Sequence, residues 1–270
     1  MVENSIFLCY IFLRKGGNPM DEIFPDMIES PDTGNIIAGL FCGFLCFVSL
    51  PFLLLLFMQG SFEIEGAVGI AEIAYHVINF IIAVIIFGKY LQEAFLTVQI
   101  ETKKFFAVCG ICTGLILFAA TVVFLFAPFF GSELGGMMAF STLPLAEMEL
   151  FLLSADLVGL KPILGTICLV VLCPISTSCF FYATAFAPAA CKRPWLGYVL
   201  TALVLFIPRF CNGVTHWVFS QEMALYFCQL PIHMLSCWAY QKTDTVWAPI
   251  VTHMMVNLVS AVLIIIVYIL

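Results

Sequence analysis

The chain has 270 residues, 63% of them apolar and 10% charged, against about 45–50% and about 25% in an ordinary soluble domain. With so little polar surface it cannot coat a water-facing globule, and its solvent is a bilayer. A formal charge of −7, from 17 acidic and 10 basic residues with no Lys/Arg cluster, excludes a nucleic-acid binder.

In chain order, residues 5–13 are apolar but the charges Arg14-Lys15 follow rather than precede them, which makes a poor signal peptide. If the source is a bacterium, Lys15-Gly16-Gly17 just ahead of Met20 reads as a translated ribosome-binding sequence, with Met20 the true start. Residues 21–32 are acidic and form a solvated tail into the first span. Residues 1–35 are therefore a separate N-terminal segment.

A spanning helix needs about 20 apolar residues. The windows 36–58, 66–88, 105–127, 162–191, 195–208, 223–240 and 246–270 are predicted as spans, giving an all-α polytopic transmembrane bundle. Seven or eight spans result, depending on residues 134–160, where Glu147, Glu149 and Asp156 interrupt the apolar run and Pro144 divides it. With Lys89, Lys103 and Lys104 on the cytoplasmic side, seven spans also place Arg14, Lys15, Lys192, Arg193 and Lys242 inside, which favours a window that does not cross. Residues 36–160 form an N-terminal group of membrane helices and 161–270 a second group.

Nearly all of the 12 Cys lie in apolar runs and read as buried small hydrophobes. The Cys109/Cys112 pair lacks a second pair of metal-binding spacing. Glu72 and His76, four apart in the second window, share a face and offset the cost of burying each other; a catalytic carboxylate–imidazole pair is the sharper reading. His233, two residues after Pro231, reads as a satisfied core histidine.

The most specific stretch runs from Tyr240 to Asn257. A helix ends near Tyr240, a polar turn passes through Asp244, Trp247 marks an interface, and Pro249 stands in the first turn of the last helix, where its missing N–H costs nothing. His253 and Asn257, four apart, share one face of that helix. Tyr240, Thr243, Trp247, Ala248, Pro249, Ile250, His253 and Asn257 match without a gap the last motif of the CAAX-processing and bacteriocin-immunity (CPBP, or abortive infection) intramembrane proteases, which the chain resembles. Asp244 stands where that motif usually has Gly.

The resemblance implies that 161–270 are the family's core helices and that His253 and Asn257 are catalytic positions. The family's Glu-Glu-x-x-x-Arg motif falls on Thr177, Ser178 and Tyr182, with Pro174 and Phe181 fitting around it. Its middle histidine falls on Arg209 in the ungapped register; a register shifted by seven residues uses His216 instead. In the family a glutamate and histidines activate water and the Asn polarises the oxyanion. Thr and Ser hydroxyls cannot replace a carboxylate base, and Arg offers no acceptor to a proton or a cation.

The expectation is a catalytically impaired CPBP protein, a pseudoenzyme of the bacterial cell membrane with a role in peptide or bacteriocin immunity. As such it needs no cofactor. Its partners are the lipid bilayer and a hydrophobic peptide or prenylated substrate. Two alternatives stand beside it. One is a working metalloendopeptidase, with a divalent metal such as zinc, using His216, His253 and an unaligned carboxylate, Glu147 or Glu72. The other is a small transporter with Glu72, His76, Glu147 and Glu149 along a polar path. A carboxylate within about one water's reach of His253 separates hydrolysis from the rest.

Overall fold

In a computed structural model of the chain, the described residues are 30–50, 53–54, 64–126, 129, 160–215 and 219–269. Apolar runs that bury every backbone N–H and C=O in their own hydrogen bonds become helices, and the described residues form seven. These are α1 (Thr33–Ser49), α2 (Ile64–Ile100), α3 (Thr102–Phe126), α4 (160–190), α5 (Pro194–Thr215), α6 (Phe219–Thr243) and α7 (Trp247–Ile269). The 134–160 window falls outside the described residues except for its last one.

Among the described residues, four helical stretches are long and apolar enough to cross a bilayer: Ile70–Ile100, Thr102–Phe126, Ile163–Ala190 and Pro194–Cys211. Thr33–Ser49 and Trp247–Leu263 are shorter apolar helices. The helix α2 continues past the expected end at 88 to Ile100, and α5 runs through Pro208. In α6 a series of polar residues, discussed below, dilutes the apolar character.

At the centre of the bundle lies α4. It alternates α-helical turns with two π-helical segments, Cys168–Leu172 and Cys179–Phe186, and all eight residues of the second are buried. Against it pack α1, α2, α5 and α7. Gly39 and Gly43, four apart on α1, face this core: a Cβ on Gly39 would run into the Phe87 ring and the Thr184 methyl, and one on Gly43 would stand 3.2 Å from Phe180. Small residues at this spacing let helix backbones approach closely where no hydrophobic effect drives them together. On the other side, α3, α6 and α7 close around Phe105, Cys109, Cys112 and Ile116. Cys112 Sγ lies 3.2 Å from the Leu235 carbonyl and Cys109 Sγ 3.8 Å from that of Ala248, so this cysteine pair packs against α6 and α7.

Candidate functional site

The motif stretch is fixed by the turn between α6 and α7. Asp244 has φ 52°, the left-handed region. Its N–H donates to the Tyr240 carbonyl at 2.9 Å, closing the end of α6. That conformation explains why the family motif carries Gly at this position: glycine adopts it without a Cβ penalty, and Asp is among the few other residues that tolerate it. Asp244→Gly is expected to stabilise the protein by about 0.5–1 kcal/mol, read as a rise in the thermal midpoint in detergent. A fall would show that the Asp244 side chain contributes more than its backbone strain costs.

Several bonds tie the turn to α2. Thr245 Oγ1 donates to the Ala94 carbonyl at 3.0 Å and Trp247 Nε1 to that of Leu91 at 2.9 Å. Tyr90 and Tyr240 join through their hydroxyls. The start of α7 is thus held, and with it the direction in which His253 and Asn257 project.

Asn257 is buried and its amide nitrogen donates to the Leu169 carbonyl, 2.7 Å away, in the first π segment of α4. Its Oδ1 is buried without a partner. On α4, Thr177 Oγ1 lies 3.6 Å from Cys173 Sγ, and Ser178 is fully buried with an unpartnered hydroxyl. Tyr182 shares a 2.7 Å hydrogen bond with His233 Nδ1 on α6. One ring nitrogen of His233 is therefore partnered, by the residue at the family's arginine position, and the half-buried ring is satisfied on that side only.

The position expected to hold the middle histidine carries Arg209, and both ends of its guanidinium are occupied. One nitrogen donates to Glu222 Oε2 at 3.0 Å and the other to Gln229 Oε1 at 3.0 Å. His233 lies within electrostatic reach of both Arg209 and His253, and His253 within reach of His76 on α2. Glu72 Oε2 stands 3.9 Å from His76 Nε2. Among the described residues no carboxylate forms an ion pair with His253. No three His, Cys, Asp or Glu side chains among them come together to hold a metal ion, so the described donor set does not fit a metal centre. His216, Glu147 and Glu149 lie outside the described residues.

Sequence reasoning left His233 out of the site. The signal was the spacing of Glu222, Tyr226, Gln229, His233, Ser236 and Tyr240, which puts polar groups on one stripe of α6 at alternating intervals of four and three. Each takes a partner in the bundle. Glu222 and Gln229 hold Arg209, Tyr226 donates to the Ala202 carbonyl at 3.0 Å, and His233 joins Tyr182. Ser236 donates to the Ile232 carbonyl at 3.1 Å and Tyr240 meets Tyr90.

Residues 159–259 match the family described as Type II CAAX prenyl endopeptidase Rce1-like. This agrees with the resemblance carried by the Tyr240 to Asn257 motif. No curated protein and no solved structure matches the chain significantly. The matched range takes in α4, α5, α6 and the first half of α7, and leaves out α2, which supplies Glu72 and His76. A CAAX prenyl endopeptidase-like domain together with four helices of spanning length fits an integral membrane protein.

Proposed function

We propose that the chain is a CAAX-protease-like protein of the bacterial cell membrane that takes a hydrophobic or prenylated peptide into its core without hydrolysing it, in peptide or bacteriocin immunity. The observation that carries this reading is the neutral strip Thr177, Ser178 and Tyr182, buried at the positions where the family has two glutamates and an arginine. Without a carboxylate there, the motif offers no carboxylate base to an attacking water, and Asn257, one of whose two amide protons is committed to the Leu169 carbonyl, makes with His253 only half of an oxyanion clamp. In this reading the site uses no cofactor. It also takes the bundle as seven spans, with 134–160 not crossing.

A second reading rests on one observation. Glu72 lies 3.9 Å from His76, which is within electrostatic reach of His253, so a carboxylate from α2 stands one imidazole away from the motif histidine. In that arrangement His253 and a carboxylate would activate water, with or without a divalent metal completed by His216. The test is incubation of the purified full chain, in proteoliposomes, with a farnesylated CAAX peptide. No release of the C-terminal tripeptide is expected above the rate without protein. Turnover that disappears in both His253→Ala and Glu72→Gln would overturn the non-hydrolytic reading in favour of the second.

A further inference from the structure

We propose that His233 is a ligand-binding residue of this site: Tyr182 holds its Nδ1 so that Nε2–H is presented as a hydrogen-bond donor to a carbonyl oxygen of the bound peptide. The inference rests on the peptide-binding reading above and adds to it a residue that lies in none of the family motifs.

Tyr182 is 2% exposed and its hydroxyl is 2.7 Å from His233 Nδ1. A phenol gives up its proton far more readily than a neutral imidazole does, and an imidazole nitrogen is the better acceptor of the two. The favoured arrangement has Tyr182 donating and Nδ1 accepting, and the partner of one ring nitrogen sets the state of the other, so the proton of the neutral ring sits on Nε2. The replacement of the family's arginine by Tyr182 therefore fixes a tautomer on a neighbouring helix.

What surrounds the ring leaves that donor available. Nε2 makes no hydrogen bond among the described residues and is not among the buried orphaned atoms, and the residue is half-buried. Arg209, a cationic competitor within electrostatic reach of the ring, already has its two terminal nitrogens on Glu222 and Gln229. Gln229 is one turn before His233 on the same helix face, so the brace that holds Arg209 also seats the turn that carries the ring. Phe181, 6% exposed and with its ring centroid 6.5 Å from that of His233, packs beside the ring as part of the buried core. A single neutral donor suits a peptide carbonyl better than an anion, which would call for an unpaired cation.

The experiment uses the full chain in detergent micelles and a fluorescent farnesylated CAAX peptide as probe, with binding followed by anisotropy. His233→Gln keeps a donor near the Nε2 position, whereas His233→Asn keeps only the Tyr182-facing end. The expected result is wild-type binding retained within about threefold in H233Q and weakened about tenfold in H233N, with folding checked by thermal melts. Equal binding by wild type and H233N would overturn the role of His233 while leaving the peptide-binding reading intact. No binding by the wild type would overturn that reading, and this inference with it. Should both variants fail to fold, imidazole 15N spectra of the wild type decide. A protonated Nε2 and bare Nδ1 that change in Tyr182→Phe are expected, and a protonated Nδ1 would overturn the proposal.

Discussion

Ser178→Glu is expected to weaken the folded protein by about 3 kcal/mol or more and to bring no peptide hydrolysis. The substitution restores one of the family's acidic positions, but Ser178 is fully buried in a segment followed by eight buried residues, from Cys179 to Phe186. A carboxylate there has no cation within its own helix turn, because the position four residues on is Tyr182 rather than arginine. An ion with no partner in a low-dielectric interior either stays charged at a cost of several kcal/mol or takes up a proton. A second effect runs the other way: the Ser178 hydroxyl is itself unpartnered, so Ser178→Ala should be neutral or slightly stabilising. Thermal unfolding in detergent separates these outcomes. Ser178→Glu melting with the wild type, or acquiring turnover, would show that the core at this point accepts charge and that the pseudoenzyme reading misjudges its polarity. The double variant Ser178→Glu/Tyr182→Arg should recover part of the loss, since a pair costs less to bury than a single ion.

Arg209→Met is expected to cost about 2 kcal/mol, and Glu222→Gln about 1 kcal/mol, with the double variant Arg209→Met/Glu222→Gln less damaging than the sum. The ion pair is only partly screened: the Arg209 side chain is 31% exposed and that of Glu222 15%. The figures are accordingly set below those for a fully buried pair. Removing the arginine strands the more buried partner and also frees Gln229 Oε1, whereas Glu222→Gln keeps an oxygen that can still accept from the guanidinium. A double-mutant cycle on unfolding free energies measures the coupling. Strict additivity would show that the two charges are held by solvent and not by each other, and Arg209 would then lose its role as the brace between α5 and α6.

Much of this organisation is legible in the residues alone, for a physical reason. A spanning stretch needs many consecutive apolar residues, and the predicted windows at 66–88, 105–127 and 162–191 overlie helices of spanning length. The last motif is equally legible because its parts act locally. Asp244 in the left-handed region, the Thr245 side chain 3.3 Å from the Trp247 N–H, and Pro249 in the first turn are features of one turn and the helix it starts. Helix ends were harder: α2 runs to Ile100 because its polar residues beyond Gly88, including Lys89 and Glu93, pair at the surface without interrupting backbone bonds.

The sequence by itself determined that this is a membrane-embedded helical chain, and its resemblance to the family sets the motif's charged positions against Thr177, Ser178 and Tyr182. Only the tertiary structure decided what stands in their place. Tyr182 meets His233 across 51 positions, Asn257 reaches the Leu169 carbonyl across 88, and Trp247 caps onto Leu91 across 156. Separations of that size carry no periodic signal, because the partner's identity is set by which helix faces pack, not by spacing along either one. In a bilayer each buried polar group must find such a partner or bear the cost of lacking one. The bundle's packing therefore gave a histidine that looked like filler a hydrogen bond from Tyr182 on the central helix.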